Sequence, residues 1–255
     1  MYKNFYNFNI TFLIRIRLHL GHKENLLNVS LTGYLFGTRN NVHIYDLDKL
    51  WKPYRYLFHG LSEMFSKRNS FFIIGINPNL PMTLLINEFI NLYKKKKRKL
   101  IGSFYISGYM DKQWIPGLFL NWKIFKEFIP YIDLKNPVAF FKKKYKFLRY
   151  FPLLHGIKNL KNNPMPDFFI FLDQNSEALL EIKKLRIPLI GLVDTNMNPS
   201  NFLYQFFGNN DSIKNIKFFF KFLKETIVDG RLKEKYQFFY YFLNKVKNKL
   251  IVYET

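Results

Sequence analysis

The chain has 255 residues, 48% of them hydrophobic, which is enough for one large domain or two small ones with a substantial core. Its 40 Lys and Arg residues against 18 Asp and Glu residues give a net charge of +22, which favours nucleic acid as a partner, with an anionic membrane surface as the alternative. The lack of cysteine excludes disulfides and thiol catalysis, and the lack of a run of about 18 uncharged apolar residues predicts no membrane insertion.

The composition and the amino terminus bear on the compartment. The chain is rich in Asn, Lys and Ile and has 30 Phe and 17 Tyr residues, a bias typical of proteins from AT-rich genomes. The first residues have neither the serine-rich amphipathic pattern of a transit peptide nor a small-residue cleavage site. We therefore expect synthesis inside an organelle, with a mitochondrion as the first choice and a plastid or a bacterial cytoplasm as alternatives.

The amino-terminal part of the chain begins with an arm and continues into a strand and a helix. Residues 1–18 alternate apolar and polar positions around Arg15 and Arg17, which favours a short strand or an arm that lies on a partner. Val42–Tyr45 is predicted as the first strand, and Asp46 stands at the N-cap position of the next helix. The apolar face of that helix is predicted to consist of Leu47, Leu50, Tyr54, Leu57, Leu61 and Met64.

The next strand and helix lead into a dense run of cations. Residues 71–76 are predicted as a buried strand, residues 82–93 as a helix and residues 100–106 as the following strand. The run at the end of the helix consists of Lys94, Lys95, Lys96, Lys97, Arg98 and Lys99. Because adjacent cations repel one another, the run indicates a facing phosphate backbone; the alternative is a solvated helix end.

A lysine-rich, aromatic segment at residues 123–155 interrupts the pattern of strands and helices. Its aromatic side chains either stack on RNA bases or pack on the sheet. In the first case the neighbouring cations contact phosphates, and these cations include Lys142, Lys143 and Lys144. Residues 166–173 then read as a strand and residues 177–185 as a helix.

Polar residues follow two short apolar runs in the carboxyl-terminal half. Leu189–Val193 is predicted as a strand buried on both faces, and residues 202–207 as a second strand. Asp211 is placed at the N-cap of a helix over residues 212–228. Four aspartates near strand ends or helix starts either hold a hydrated magnesium ion or make turn and cap hydrogen bonds, namely Asp167, Asp173, Asp194 and Asp211.

Several of these stretches resemble one known family. IPLIGLVDTNMNPSNFLYQFFGNNDSI at residues 187–213, HLGH at 19–22, FGTRN at 36–40 and WIPGLFLNW at 114–122 resemble the small-subunit ribosomal protein S2 family. Asn210 stands where that family usually has aspartate. The signature residues carried by the resemblance are Gly21, His22, Asp194, Thr195, Asn196, Gly208, Asn209 and Asp211.

The alternating strands and helices, together with the resemblance, predict an α/β fold with a flavodoxin-like, Rossmann-like parallel sheet flanked by helices and a shortened inserted helical segment. The expected organisation is an N-terminal arm at 1–18, one α/β domain formed by 19–122 and 156–230, a truncated helical hairpin at 123–155 and a helical tail at 231–255.

The resemblance implies a structural constituent of the small ribosomal subunit, without catalytic residues, that binds small-subunit rRNA and other small-subunit ribosomal proteins near the messenger RNA exit region. Besides the cation runs, the residues expected to contact RNA are Arg39, Trp114, Asn121 and Trp122. No cofactor is expected other than structural magnesium ions, for which the place would be near Asp194 and Asp211.

Two alternatives stay open. A nucleotide-dependent α/β enzyme predicts a glycine-rich phosphate loop, and the sequence has none of the usual ones. A peripheral membrane protein predicts a continuous amphipathic helix with segregated faces.

Overall fold

The computed structural model describes residues 10–95, 106–128, 156–157 and 165–253. The strands are β1 (Leu20–Lys23), β2 (Leu35–Arg39), β3 (Val42–Tyr45), β4 (Phe71–Ile74), β5 (Ile106–Met110), β6 (Phe168–Phe171), β7 (Leu189–Val193) and β8 (Tyr204–Phe207). The α-helices are α1 (Ile10–Arg15), α2 (Leu47–Ser66), α3 (Met82–Lys95), α4 (Trp122–Phe128), α5 (Ser176–Lys184) and α6 (Ile213–Tyr253).

Five strands form a parallel sheet in the order β5-β4-β6-β7-β8. Numbered along the chain from its first member, this order is 2-1-3-4-5, which is the flavodoxin-like arrangement. Strands β4, β5, β6 and β7 are buried along their whole length, as expected for a sheet covered on both faces. The predicted flavodoxin-like parallel sheet flanked by helices is therefore confirmed, whereas residues 129–155 of the expected inserted segment lie outside the described residues.

Alternate residues of the central strands build the two halves of the core. Phe71 and Phe168 point to one side, where Phe65 of α2 lies with ring-centroid distances of 5.6 and 5.8 Å. Phe72 and Phe169 point to the other side, where Phe119 lies at 5.2 and 4.8 Å. The period of two along each strand thus places α2 on one face of the sheet and the loop before α4 on the other.

A second, antiparallel sheet has the order β1-β3-β2. Val42–Tyr45 is a strand as predicted, but it belongs to this small sheet and not to the parallel one. Its inner face packs on the carboxyl end of the large sheet, because the Tyr45 hydroxyl donates to the Val193 carbonyl at 3.2 Å and the Tyr45 ring lies 6.4 Å from Phe207. The sequence missed this arrangement because β1 and β2 are short and only partly buried.

The described part of the amino-terminal segment is a helix and not the short strand that was one of the two alternatives for it. Residues Ile10–Arg15 form α1, and Leu13, Ile16 and Leu18 are buried in the same core as the large sheet. Ser212 Oγ donates to the Ile16 carbonyl at 3.3 Å. Leu13 and Ile16 are three residues apart, as on one face of a helix, and the turn after α1 brings Leu18 into the core, so burial does not follow the period of two that a strand would show.

Helix α6 also differs from its prediction. It begins at Ile213, and the Ser212 carbonyl accepts from Asn215 N at 3.0 Å, so Ser212 and not Asp211 holds the N-cap position. The helix continues through Gly230 to Tyr253 rather than ending near residue 228. Position 230 requires a glycine because α2 approaches closely there: an added Cβ would lie 2.6 Å from the Ser62 carbonyl oxygen.

Two further points concern the predicted elements. The cap at Asp46 is confirmed, since its side chain accepts from Asp48 N at the start of α2. The strand predicted at 100–106 is β5 at Ile106–Met110, and residues 96–105 lie outside the described part of the chain.

Among the helices that the structure describes, none has the length and apolar character needed to cross a membrane.

Candidate functional site

The signature residues meet at the carboxyl edge of β7 and β8. Asp194, Thr195 and Asn196 follow β7, and the turn from Gly208 to Asp211 follows β8. Parallel neighbours end at the same edge, so the two turns lie side by side. The middle of β1 adds Gly21 and His22, which stand near the other end of the sequence, and we call these residues the signature cluster.

Asp194 is the centre of the signature cluster. Its carboxylate is buried; Oδ1 accepts from Thr195 N at 2.6 Å, and Oδ2 accepts from Asn210 N at 3.0 Å. Gly208 N donates to the Val193 carbonyl at 3.0 Å, which holds the same turn from its other end. One carboxylate therefore joins the turns after two neighbouring strands, and its hydrogen bonds offset the cost of its burial.

His22 lies between two carboxylates. Its Nδ1 is 3.2 Å from Asp194 Oδ1, and its Nε2 is 3.3 Å from Asp211 Oδ2. Hydrogen bonding to Asp194 raises the pKa of His22; burial of the ring opposes this, and the charges of both aspartates reinforce it. Asn77 Nδ2 donates to the exposed Asp211 at 3.1 Å, so the loop after β4 is also connected to the cluster.

Gly21 has no room for a side chain. A Cβ there would lie 2.4 Å from Thr195 Cγ2, and His22 N donates to Thr195 Oγ1 at 2.8 Å. The Thr195 carbonyl in turn accepts from Asn28 N at 2.8 Å. β1 and the segment after it are thus held against β7 by one threonine, whose hydroxyl and carbonyl are both in use.

The expected magnesium site near Asp194 and Asp211 is not what the arrangement provides. The His22 ring stands between the two carboxylates, and the oxygens of Asp194 already accept backbone hydrogen bonds. Across residues 10–95, 106–128, 156–157 and 165–253, no group of three or more His, Asp or Glu side chains is placed to hold a metal ion. The other two aspartates accept hydrogen bonds from the backbone of a distant part of the chain, neither from a turn nor from a helix start: Asp167 accepts from Ser70 N and Asp173 from Ile76 N, both at 2.6 Å.

Asp173 lies at the switch point of the sheet, between β4 and β6, where flavodoxin-like folds often bind ligands. Its Oδ2 accepts from Ile76 N, and an added Cβ at Gly75 would lie 3.0 Å from Leu172 Cδ1. Desolvation raises the pKa of Asp173 to about 6. The loops after the two central strands therefore contact each other directly, and no glycine-rich phosphate cradle lies between them in the described chain.

Sequence reasoning missed Glu181. This residue of α5 is buried, and its carboxylate accepts from Trp114 Nε1 at 3.0 Å, Gly117 N and Phe119 N at 2.8 Å each, and Leu120 N at 3.1 Å. A buried carboxylate surrounded by donors organises the whole loop before α4. The available signal was an isolated glutamate on the apolar face of a short helix, next to Ala178 and Ile182.

The expectation that Trp114 contacts RNA is wrong. Its side chain is 2% exposed, its indole N–H is bound by Glu181, and its ring lies 6.0 Å from that of Phe119. In this position Trp114 offers no ring face to RNA and instead supports the loop. Trp122 is half-buried and stacks on Phe119 at 5.6 Å, while Asn121 is exposed.

The remaining expected RNA contacts fall in different places. Arg39 is exposed at the end of β2. Lys94 and Lys95 close α3, without a described side-chain position. The other predicted contacts lie outside the described residues, namely Lys96, Lys97, Arg98, Lys99, Lys142, Lys143 and Lys144.

Comparison with known proteins agrees with this geometry. The family model described as Ribosomal protein S2 matches residues 13–230. Proteins named small ribosomal subunit protein uS2 are similar over most of the chain. The one from Helicobacter hepaticus is 25% identical over 238 residues, covering 88% of this chain and 84% of its own. The one from Acinetobacter baylyi is 27% identical over 238 residues, covering 89% of this chain and 90% of its own.

Proposed function

Because the chain belongs to the ribosomal protein S2 family, we propose that it is a structural constituent of the small ribosomal subunit, where it binds rRNA and neighbouring ribosomal proteins and catalyses no reaction. The observation that carries this conclusion is the family match over residues 13–230, which includes every residue of the signature cluster. The cluster holds three separate parts of the chain together, since His22 N donates to Thr195 Oγ1 and the Asp194 carboxylate accepts from Thr195 N and Asn210 N.

Phosphate contacts provide the attraction to rRNA in this proposal. The net charge of +22 is the electrostatic basis, and the run from Lys94 to Lys99 concentrates six cations in six residues. Arg39, Asn121 and Lys142 to Lys144 are proposed to add further contacts, and Trp122 a stacking surface. Structural proteins of this charge gain affinity mainly by releasing counterions from the RNA.

The proposal also covers the position of the protein on the small subunit and the compartment of its ribosome. We propose a position near the messenger RNA exit region, because the resemblance implies it, and a mitochondrial ribosome as the host. The bias toward Phe, Asn, Lys, Tyr and Ile supports a genome of high AT content. The similar proteins named above come from bacteria, so a bacterial ribosome is the alternative host.

Sedimentation of a lysate from the source organism tests the main proposal. In a sucrose gradient at moderate salt, the native protein is expected to travel with the small subunits, and an immunoblot of the fractions follows it. If about six phosphates are neutralised, the logarithm of the affinity for rRNA falls against the logarithm of salt with a slope near −4 to −5. A protein found only at the top of the gradient, with intact small subunits in the same lysate, would refute the proposal.

A charge-matched pair of variants tests the cation run. Lys95, Lys97 and Arg98 are changed together to glutamine, and the control removes three scattered exposed cations: Lys52, Lys112 and Lys126. When each competes with the wild-type protein for assembly into small subunits, the first variant is expected to be incorporated less than the control. Equal incorporation of both would mean that the run is a solvated helix end.

A further inference from the structure

The outer face of the small antiparallel sheet carries a pattern that the signature cluster does not explain. Val42 of β3 is paired on one side with Lys23 of β1 and on the other with Arg39 of β2. Directly paired residues of antiparallel strands project from the same face. The outer face thus presents one apolar side chain between two cations, and both cations are exposed.

The next row of this face is apolar and flat. Ile44 is paired with Leu20 on one side and with Gly37 on the other. Leu20 and Ile44 are partly buried, and an added Cβ at Gly37 would meet nothing within 4 Å. A flat space therefore lies open beside Ile44, next to the row that carries the cations.

Phe36 stands at the border of this face. The register of β2 against β3 shifts between Leu35 and Gly37, so Phe36 is the extra residue of a bulge. Its side chain is 81% exposed, and it makes no ring contact with any described residue. Bulges redirect side chains, and here the bulge directs a phenylalanine into solvent from the free edge strand.

The hairpin is a rigid support for these side chains. Asn40 and Asn41 connect β2 to β3, both with left-handed φ of 51° and 59°, as in the tight hairpin turn that matches strand twist. The opposite face is fixed to the core, since His43 and Tyr45 are buried. A ligand on the outer face would therefore meet a preformed surface and lose little conformational entropy on binding.

We propose that Lys23, Phe36, Arg39 and Val42, which we call the hairpin platform, bind an unpaired nucleotide of small-subunit rRNA. The base stacks on Phe36, and the two cations contact the flanking phosphates. This inference rests on the proposed function and names a contact surface for it. Of its members, only Arg39 was expected from the sequence.

The charge pattern favours RNA over a protein partner. The centres of protein interfaces are apolar and depleted in charge, whereas this platform has one exposed ring and a cation on each side of Val42. Neither Lys23 nor Arg39 forms an ion pair with a carboxylate in the described part of the chain. Glu24, the acid next to Lys23 in the sequence, is exposed and donates its N–H to the Asn41 carbonyl at the turn.

Photo-crosslinking in assembled small subunits tests the platform. Benzoylphenylalanine replaces Phe36, and in a matched control it replaces Leu180, which is 60% exposed on α5, across the sheet from α2. After assembly and irradiation, the label at position 36 is expected to crosslink to small-subunit rRNA, and the label at position 180 much less. A crosslink from position 36 to a ribosomal protein alone would overturn the proposal in favour of a protein interface.

Ring-specific substitutions give a second readout. Phe36→Leu is expected to weaken binding to purified small-subunit rRNA by about 5- to 150-fold, the loss that accompanies one unstacked base, whereas Phe36→Trp retains the affinity. Tyr56→Leu, which removes a ring that is 61% exposed on α2, serves as the control and binds like the wild type. Circular dichroism checks that each variant is folded.

Two results separate the platform from the proposed function. If wild-type protein sediments with small subunits while Phe36→Leu binds rRNA as tightly as Phe36→Trp, the platform is refuted and the ribosomal function stands. If wild-type protein does not sediment with small subunits, both fail together. Lys23→Gln combined with Arg39→Gln is expected to reduce the magnitude of the salt slope by about 1.4 to 1.8, since two phosphate contacts are lost.

Discussion

Removal of the Glu181 carboxylate is expected to destabilise the fold more than any other single change to a charged side chain described above. In Glu181→Ala, four donors lose their shared acceptor, from Trp114, Gly117, Phe119 and Leu120. The donors of Trp114 and Phe119 belong to buried residues, and each costs about 1–3 kcal/mol when it has no partner. The other two reach water more easily and cost less. We expect a loss of about 2–5 kcal/mol in the free energy of unfolding.

Urea unfolding followed by tryptophan fluorescence and circular dichroism measures this loss. Trp114 is a direct probe, because it is bound to Glu181 and buried in the folded state. Glu177→Ala is the matched control, since Glu177 is an exposed glutamate one turn earlier on α5 and gains only about 0.3–1 kcal/mol from the helix dipole. Glu181→Gln keeps one acceptor oxygen and directs an amide donor at other donors, so its stability falls between those of the wild type and Glu181→Ala.

The reasoning fails if the two alanine variants differ by less than about 0.5 kcal/mol, the size of an ordinary surface substitution. Such a result would mean that water or a shifted backbone supplies the missing acceptors. A loss of near-ultraviolet dichroism in Glu181→Ala, with the far-ultraviolet signal intact, would locate the damage in the loop before α4 rather than in the sheet.

Three further changes test the carboxyl edge of the sheet. Gly21→Ala places a methyl group 2.4 Å from Thr195 and should cost about 1–3 kcal/mol in chemical unfolding, whereas Gly33→Ala, with nothing within 4 Å, should cost much less. The pKa of His22 is raised from 6.5, so the charged ring stabilises the fold. This stabilisation is fully present below pH 6.5 and is lost as the pH rises through the pKa of the folded state. His22→Gln should therefore destabilise the protein more at pH 6 than at pH 8.5. Burial raises the pKa of Asp173 from 3.8 to about 6, so its buried charge costs stability above pH 6 and not below pH 3.8. Asp173→Asn should be more stable than the wild type at pH 8 by up to about 3 kcal/mol. Thermal melts should show that this advantage is lost by pH 4.

Much of the large sheet could be predicted because its signal is local. Runs such as Phe71–Ile74 and Leu189–Val193 are apolar throughout, and short apolar runs between turn residues are typical of strands covered on both faces. The helix over Leu47–Ser66 shows its buried face in its spacing, and its cap at Asp46 is visible in the sequence. Each of these features is determined by residues that are close together in the sequence, so the sequence alone is sufficient to predict them.

What the sequence did not show depends on distant partners. Trp114 was expected to contact RNA, and only the position of Glu181, 67 residues away, shows why its indole is buried. The small antiparallel sheet joins strands whose exposed side chains give no clear alternation. His22 lies between two aspartates that stand far along the chain, and no pattern in the first 30 residues indicates them.

The distance along the chain between His22 and Thr195, 173 residues, has a consequence for biosynthesis. At about 5–20 residues per second, the second partner is made roughly 9–35 seconds after the first. Over that interval the hairpin of β2 and β3 cannot dock, because Val193 and Phe207, which Tyr45 contacts, do not yet exist. A nascent chain halted before residue 194 would therefore expose the inner face of the hairpin to water, and the amino-terminal segment is expected to reach its final place only after β7 and β8 have been made.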